Sequence, residues 1–340
     1  MLFRKKINDN LSTDRLSFIF VIFTFLYSFF IDSFLLLCYI KEKLGLGVYG
    51  RKVQKMANDL QTILITGAKG MIGSKLVEGL LNVGYEVVGV DRRDADGCEL
   101  YHYFKADLAD KERLAEIVAN NNVDRIIHLA ALAHTIGETN LSWERYKKVN
   151  VDCAKNVFDI AGERPVLYIS TVDVFGFYDG KQPLNGNTEP CPVSLYGKSK
   201  AMAEEECRKL KHYSIFRFSP VYTDDIKRDI QKRYYLKYPN IAYQIGKGTE
   251  YEVLDVRNAV ATMVDWCKAE PRNDVSIIKD TVSMWTPDYI KAEKAEGRAN
   301  IVIHLPRWMV NCGYVILKAI LGKNEKVYLL NKAVHPFRSE

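Results

Sequence analysis

The sequence has few features of a disulfide-stabilised or metal-binding protein. Its seven cysteines form no Cys-x-x-Cys pair and no cluster with histidine at zinc-site spacing. An odd, dispersed set is typical of reduced thiols in a cytosolic domain. Internal repeats and low-complexity tracts are also lacking. We therefore expect no bound metal and no solenoid or fibrous architecture.

An excess of one charge is lacking too. The 48 Lys and Arg residues stand against 42 Asp and Glu residues, a net charge of +6, and the two signs are interspersed. This pattern suits a small anionic ligand better than a nucleic acid. With 340 residues, 48% of them hydrophobic, the chain is long enough for one large domain or two modest ones.

The first 55 residues differ from the rest. Residues 16–40, LSFIFVIFTFLYSFFIDSFLLLCYI, carry one charge, Asp32. At about 1.5 Å per residue such a helix exceeds a hydrocarbon layer of about 30 Å, so the run predicts a membrane span. A signal peptide fits poorly because no small-residue cleavage site follows. The alternative is a true start at Met56, which makes residues 1–55 a mispredicted extension.

A glycine-rich turn follows the first predicted strand. TILIT at 62–66 is apolar and β-rich, GAKGMIG follows at once, and SKLVEGLLNVG has helical spacing up to Gly84. In this context Gly67 makes the tight turn, Gly70 lets the backbone approach a pyrophosphate, and Gly73 lets helix and strand pack closely. The segment predicts a dinucleotide site at the helix N-terminus.

The next strand, YEVVGV, ends at Asp91, where a carboxylate can hold ribose hydroxyls. Asp91 would repel a 2′-phosphate and favours NAD. Arg92, Arg93 and Lys69 could accept that phosphate and favour NADP, although solvated surface residues are the simpler interpretation of each. We expect NAD, with NADP as the alternative.

Further strands follow at the rhythm of a doubly wound α/β sheet. HYFKADLAD offers Asp107 and Leu108 near where an adenine would lie. VDRIIHLAALAH predicts a buried strand running into Ala130 and Ala131, which are small enough to let a cofactor pass close by. His128 in this strand is expected to be a core histidine.

SLYGKSK at 194–200 places Tyr196 and Lys200 four residues apart, on one face of a helix. The lysine charge would favour the phenolate and lower the tyrosine pKa from about 10 toward neutrality, so that the phenol can move protons. The same spacing also occurs on exposed amphipathic helices.

Together these segments resemble an extended short-chain dehydrogenase/reductase of the nucleotide-sugar epimerase/dehydratase group. The resemblance covers roughly residues 60–260, in family order. Its pieces are TGAKGMIG, the Asp91 strand end, DL at 107, HLAA at 128, YKKVNVDCAKNV at 146, VLYISTVDVFG at 166, YGKSK at 196 and RFSPVY at 217.

The resemblance implies a role for each catalytic residue. Tyr196 is the general acid/base, and Lys200 lowers its pKa and binds the nicotinamide ribose. Thr171 holds the reacting oxygen, with Ser170 as the less well aligned alternative, and Asn150 organises a water or backbone group near the lysine. The expected cofactor-binding residues are Gly67, Gly70, Met71, Ile72, Gly73, Asp91, Arg92, Asp107, Leu108, Leu129, Ala130, Ala131, Tyr196 and Lys200.

Two departures from the family bear on the reaction. Dehydratases of this group carry Asp-Glu after the threonine, where this chain has Val172 and Asp173, so a 4,6-dehydratase is disfavoured. The usual Gly-Pro after the sixth strand is Thr223-Asp224 here, and the basic segment IKRDIQKRYYLKYP follows it. Arg228 or Arg233 in it could grip a diphosphate, unless the segment is simply a solvated basic face.

These observations predict three parts: the N-terminal segment 1–55, a Rossmann domain at 56–222 completed by about 252–268, and a substrate lobe at 223–340 with 181–195. The expected protein is an NAD-dependent epimerase or ketoreductase of a nucleotide-activated sugar. Residues 16–40 would hold it at the inner or cytoplasmic membrane, with its catalytic domain in the cytosol. It would be cytoplasmic if translation starts at Met56. The sequence leaves open whether the protein forms a homodimer. The alternatives are a hydroxysteroid- or lipid-alcohol-type dehydrogenase, which predicts an apolar pocket, and a catalytically idle NAD-binding subunit.

Overall fold

A computed structural model describes residues 61–95, 97–133, 142–236 and 241–340, with Arg228 described by its backbone alone. The predicted span at 16–40 lies outside these residues. Within the part that is described, no helix is long and apolar enough to cross a membrane. Residues Gln61–Glu340 form one compact unit.

The described strands are β1 (Thr62–Thr66), β2 (Glu86–Asp91), β3 (Tyr101–Lys105), β4 (Arg125–His128), β5 (Val166–Thr171), β6 (Tyr213–Phe218), β7 (Val221–Tyr222), β8 (Ile241–Ile245), β9 (Glu250–Tyr251), β10 (Leu254–Asp255), β11 (Asp274–Ile278), β12 (Met284–Trp285) and β13 (Ile301–Leu305). The α-helices are α1 (Met71–Asn82), α2 (Lys111–Asn120), α3 (Trp143–Lys147), α4 (Cys153–Ala161), α5 (Leu195–Cys207), α6 (Arg228–Gln231), α7 (Val256–Lys268), α8 (Thr286–Ala295), α9 (Arg307–Leu321) and α10 (Glu325–Val334). A π-helical turn spans Lys148–Asp152 and a 3₁₀ turn spans Val172–Phe175.

Seven parallel strands form the main sheet, in the order β3-β2-β1-β4-β5-β6-β11. Their side chains alternate between two buried faces. Ile63 and Ile65 pack with α1 and α7, whereas Leu64 packs on the face covered by α4. The doubly wound α/β fold expected from the sequence is thus confirmed.

Three helices begin at a residue whose side chain caps the helix N-terminus. Asp110 caps α2, Ser194 caps α5 and Asp255 caps α7, each side chain accepting a backbone N–H of the first turn. Such a cap stabilises a helix by about 1 kcal/mol. The cap on α5 fixes the start of the helix that carries Tyr196 and Lys200.

The seventh strand, β11, comes from the region assigned to the substrate lobe. It pairs in parallel with β6 from Asp274↔Ser214 to Ile278↔Phe218. The sheet therefore continues past the expected completion at 252–268. Five half-buried residues at a sheet edge give too short a pattern to be recognised as a sheet strand.

A small lobe outside the main sheet includes the two-stranded sheets β12-β9 and β13-β8. Its core is a separate cluster that includes Tyr234, Ala242, Met284 and Ile290. The segment 181–195 reaches the C-terminal end of the chain, where the Leu184 N–H donates to the Arg338 carbonyl at 2.7 Å.

Candidate active site

The predicted site residues lie at one edge of the sheet. Gly67 follows β1, Asp91 ends β2, Leu129 follows β4 and Thr171 ends β5, and these strands are neighbours. Because all run in parallel, their carboxyl ends share one edge. The chain order reverses between β1 and β4, and ligands of doubly wound sheets bind at this switch point.

The glycine turn has the geometry of a phosphate cradle. Gly67 has φ +75°, and a Cβ there would lie 2.9 Å from Ala130 Cα. A Cβ at Gly73 would lie 2.2 Å from the Gly67 carbonyl oxygen, so only glycine fits. No side chain caps α1 at Gly70, which leaves the first N–H groups of the helix open to an anion. These features fit a dinucleotide pyrophosphate.

Asp91 forms an ion pair with Arg93, although the sequence analysis took the two residues as favouring different cofactors. Arg93 donates through Nε to Asp91 Oδ1 at 3.0 Å and through Nη2 to Oδ2 at 2.9 Å. The Lys69 backbone N–H also donates to Asp91, at 3.1 Å. Burial alone would raise the pKa of Asp91, but the bonds from Arg93 and Lys69 hold it below its ordinary value. The Asp91 carboxylate is therefore held in its charged form.

The other residues expected to bind the cofactor differ in how far their side chains are buried. Leu108 is buried in the core, so its backbone alone can face a ligand. Asp107 is exposed and accepts the Ala109 N–H at 3.0 Å. Met71 and Ile72, at the start of α1, and Leu129 and Ala130, after β4, are half-buried, whereas Ala131 and Arg92 are exposed.

Lys200 is buried on α5. Its Nζ lies 4.2 Å from the centre of the Tyr168 ring. Burial lowers the pKa of Lys200 to about 7, against a smaller opposing effect of Glu204. At this pKa, Lys200 is only partly charged near neutral pH.

Tyr196 departs from the expected titration. Burial, followed by the Asp173 and Asp229 carboxylates, raises its pKa above the ordinary value of 10. The expectation that Lys200 brings the phenol toward neutrality is wrong for the protein in this state. Desolvation weakens the lysine charge, and two carboxylates oppose the phenolate. Tyr196 also lies beside Tyr146, with ring centres 6.4 Å apart.

Asn150 sits in the π-helical turn and ties three elements together. Its Oδ1 accepts the Leu132 N–H at 2.7 Å, and its Nδ2 donates to the Leu132 carbonyl and to Ser199 Oγ, each at 2.9 Å. Ser199 in turn donates to the Tyr196 carbonyl at 2.8 Å. Asn150 thereby couples the segment after β4 to α5, the helix of Tyr196 and Lys200. Such π turns often mark functional sites.

Thr171 and Ser170 face different surroundings. Ser170 is buried and donates to Glu204 at 2.5 Å, and Glu204 is also bound by the fully buried Arg217 at 2.8 Å. Ser170 therefore belongs to an interior network. Thr171 is half-buried, and its Oγ1 accepts the Asp173 N–H at 3.2 Å. Thr171 is the residue of this pair that a substrate could reach.

Asp173 is bound by the C-terminal helix. Its carboxylate accepts from Tyr328 at 2.7 Å and also from Lys332 and Ser194. Burial alone would raise the pKa of Asp173, but Lys332 and the three hydrogen bonds hold it below its ordinary range. Sequence reasoning missed Tyr328 and Lys332, because no local pattern links them to Asp173.

Of the two arginines expected to bind a diphosphate, only Arg233 has a side chain that the structure describes. The side chain of Arg228 lies outside the described part. Arg233 stacks over the Tyr251 ring at 5.0 Å and lines a cavity of about 20 Å³ with Val172 and Lys332. Val172 directly follows Thr171, so this cavity adjoins the reacting end of the site. Two cations therefore meet beside it.

A larger cavity of about 540 Å³ opens in the lobe. Its lining includes Lys247, Trp285, Arg307 and Arg338, and it shares Pro336 with the smaller cavity. No sequence motif pointed to it. Across the described residues, no group of three or more His, Cys, Asp or Glu residues could hold a metal ion.

Comparison with known proteins agrees with the expected family. The NAD dependent epimerase/dehydratase family matches residues 63–268. A UDP-glucose 4-epimerase of Neisseria meningitidis serogroup C is 31% identical over 161 residues, 43% of this chain and 47% of that protein. A probable UDP-arabinose 4-epimerase of Oryza sativa subsp. japonica is 31% identical over 159 residues, 42% of this chain and 39% of that protein. The match thus spans less than half the length of these relatives.

Solved structures share the fold. The UDP-Glc/GlcNAc 4-epimerase from Campylobacter jejuni has a TM-score of 0.62 at 18% identity, over 72% of this chain and 87% of that one. A UDP-glucuronic acid 4-epimerase from Bacillus cereus in complex with NAD has a TM-score of 0.59 at 21% identity, over 72% and 88%. The expectations of an enzyme family and of NAD as its cofactor are confirmed at the family level. The chain belongs to the NAD dependent epimerase/dehydratase family.

Proposed function

We propose that this protein is an NAD-dependent epimerase or ketoreductase of a nucleotide-activated sugar, with Tyr196 as its general acid/base. The observation that carries the proposal is the placement of Tyr196 and Lys200 on α5, beside the end of β5 where Thr171 lies. The relatives named above are 4-epimerases of UDP-sugars, which supports the same substrate class here.

NAD, when bound, supplies the hydride acceptor and donor. The chain's own residues handle the proton and the position of the sugar. Thr171 holds the reacting oxygen, and Tyr196 takes the hydroxyl proton during oxidation and returns it during reduction. Oxidation moves a hydride from the sugar carbon and leaves a ketone; reduction from the other face gives the epimer.

The pKa of Tyr196 determines whether the phenol is ready to donate a proton to a ketone or to remove one from a hydroxyl. Its raised pKa keeps the phenol protonated, which is the form that donates to a ketone. For the base form, a nearby cation must lower that pKa, and a fully protonated Lys200 would do so. Ribose hydroxyls accepting from Lys200 would favour its charged form. We therefore propose that cofactor binding makes Tyr196 a better base.

The surroundings of Asp173 support epimerisation or reduction over elimination of water. Tyr328, Lys332 and Ser194 all bind its carboxylate, so it is not poised to act as an elimination acid. Its lowered pKa also keeps it ionised, whereas an acid must hold a proton. This agrees with the sequence departure at Val172 and Asp173.

Arg233, which lines the cavity, suits an anionic substrate better than a steroid or lipid alcohol. Arg233 and Lys332 face the cavity beside Thr171, together with Glu252. At about 20 Å³ that cavity holds about one water molecule, so a sugar diphosphate requires a lining element to move. The larger cavity with Trp285, Lys247 and Arg338 could take the nucleotide, because an aromatic ring and cations suit a base and phosphates.

The test is an assay of the full chain with NAD or NADH and a panel of nucleotide sugars, following absorbance of the reduced cofactor and product stereochemistry. Epimerisation inverts a sugar carbon with no net absorbance change, whereas a ketoreductase changes absorbance in proportion to product. Tyr196→Phe is the matched control. It should keep NAD binding and lower turnover by about 100-fold or more. Undiminished turnover in that variant would remove the assignment.

A further inference from the structure

Helix α9 presents an apolar face to solvent. Of its residues, Tyr314 alone is buried. The residues at successive i+3 and i+4 positions on its outer side are all apolar. This α9 face consists of Trp308, Met309, Cys312, Val315, Ile316, Ala319 and Ile320, all of them exposed.

The polar residues of α9 lie away from this face, and two of them, Asn311 and Lys318, are exposed. Arg307, Asn311 and Lys318 share a stripe with the buried Tyr314, at spacings of four, three and four residues. Arg307 donates to the Gly248 carbonyl at 2.7 Å, and Lys318 lies 5.3 Å from the centre of the Tyr314 ring. The α9 face itself therefore carries no charged side chain.

The exposed side chains are large. Trp308 is 67% exposed and Ile320 is 71% exposed, and Leu329 of α10 is also exposed. Removing such side chains from water is favourable. A continuous stripe of them is typical of an interaction surface rather than of scattered surface residues.

Cations stand at both ends of the α9 face. Lys323 and Lys326 follow its C-terminal end, both are exposed, and neither has an ion-pair partner among the residues described. Lys247 and Arg307 line the cavity at its N-terminal end. The surface is thus an apolar stripe bounded by positive charge.

This charge pattern decides between occupants. A second copy packed antiparallel on the α9 face would bring positive ends together. The apolar run at 16–40 is itself flanked by basic residues, including Arg15, Lys41 and Lys43. An anionic lipid surface complements both the apolar stripe and its positive ends.

We propose that the α9 face docks the protein on an anionic phospholipid bilayer. The helix lies in the plane of the interface, with Trp308, Ile316 and Ile320 among the headgroups and upper acyl chains. Its 15 residues are too few to span the hydrocarbon layer. The docking does not depend on the proposed reaction, and it applies whether or not residues 16–40 cross a membrane.

The experiment uses the full chain with vesicles of phosphatidylcholine and phosphatidylglycerol in equal parts, with acyl chains brominated so that they quench tryptophan. We expect a loss of tryptophan emission that is absent in Trp308→Phe. Vesicles of phosphatidylcholine alone, or added salt, should reduce the loss. An equal loss in Trp308→Phe would mean that another tryptophan enters the lipid and would overturn the proposal. Emission from Trp308 that is shielded from water yet unaffected by brominated lipid would show a protein segment or a second copy on the face, with the same consequence.

A matched pair of variants tests the stripe itself. Ile320→Glu places a charge on the α9 face, whereas Val282→Glu places one at a site off that face that is 77% exposed. Ile320→Glu should abolish the quenching and Val282→Glu should keep it. Because both sites are exposed, both variants should unfold at the wild-type temperature. Retained quenching in Ile320→Glu would contradict docking by this face.

Discussion

The Nζ of Lys200 lies 4.2 Å from the centre of the Tyr168 ring, and the His128 ring stacks on the same tyrosine at 5.7 Å. Within the described residues, the Tyr168 hydroxyl and His128 Nε2 are buried without a hydrogen-bond partner. Burial also lowers the pKa of His128 to about 3. Burial thus opposes a positive charge on both Lys200 and His128.

The first prediction concerns the pH dependence of stability without NAD. Lys200 has a folded pKa of about 7, whereas an unfolded lysine keeps its proton to about pH 10.4. Between these values the unfolded chain binds more protons, so this group makes the fold more stable as pH rises. Below about pH 7 the cost of burying the charge is constant. The contribution should be on the order of 5 kcal/mol, measured by denaturant unfolding across this range.

Lys200→Met provides the comparison. Buried thiols such as Cys207, whose pKa is raised by burial, contribute the opposite slope above about pH 8.5. The difference between wild type and variant isolates the lysine. A difference that stays constant with pH would show that Lys200 has an ordinary pKa.

The second prediction concerns the glycine turn. In Gly73→Ala the new Cβ would lie 2.2 Å from the Gly67 carbonyl oxygen, so the backbone must move. We expect a loss of stability of about 1–3 kcal/mol and weaker NAD binding, because the phosphate cradle widens. Calorimetric unfolding and NAD titration measure the two effects.

Gly313→Ala is the control for this change. Gly313 lies in α9, and a Cβ there meets no atom within 4 Å. Alanine should stabilise the helix by about 0.5–1 kcal/mol and leave NAD binding unchanged. Equal behaviour of the two variants would mean that the close packing at Gly73 has no energetic effect.

The third prediction concerns cofactor choice. Asp91→Ala removes the carboxylate expected to hold the ribose and frees Arg93 from its paired bonds at 2.9 and 3.0 Å. NAD affinity should fall, and NADP affinity should fall less or rise, because the freed guanidinium can bind a 2′-phosphate. Titration of both cofactors gives the ratio. A larger loss for NADP would reverse the NAD assignment.

Parts of this site that depend on short local patterns were predictable from sequence. The glycine turn and the end of β2 at Asp91 are set by spacing within one strand-turn-helix unit. The short strand β11 was missed because five half-buried residues carry little periodic signal. The partners of Asp173 were missed because Lys332 lies 159 residues away.

The pKa values of Tyr196 and Lys200 could not be predicted from the sequence either. The spacing of Tyr196 and Lys200 correctly suggested a shared helix, but the pKa of each depends on burial by distant elements. Asp229 on α6 raises the pKa of Tyr196, and nothing in SLYGKSK indicates that contact. Local sequence determines which helix carries a side chain, whereas tertiary packing determines how deeply that side chain is buried and which charges surround it.

The last prediction concerns the link between the C-terminal helix and the catalytic helix. Asp173 binds Lys332 of α10 and also Ser194, whose Oγ caps α5 by accepting the Gly197 N–H at 2.9 Å. Both side chains of the ion pair are largely buried, at 13% and 17% exposure. Lys332→Met leaves the carboxylate without its cation and should cost about 3 kcal/mol near neutral pH.

The pH dependence distinguishes this cause from lost packing. In wild type the pKa of Asp173 lies below its ordinary value, so its stabilisation is present above about pH 4 and is lost as pH falls through the folded pKa. In Lys332→Met, burial dominates and that pKa rises. The variant can then take up a proton, and its deficit relative to wild type should shrink between neutral pH and about pH 5. Urea unfolding at both pH values measures the change.

Two further variants make the result specific. Lys326→Met, an exposed lysine of the same helix, should change stability by less than about 0.5 kcal/mol. Asp173→Asn combined with Lys332→Met should recover part of the loss, because no buried charge is left unpaired. Turnover should fall in Lys332→Met more than NAD affinity does, since α5 loses an anchor while the glycine turn is untouched. A double variant no more stable than Lys332→Met would show that the lysine acts by packing alone.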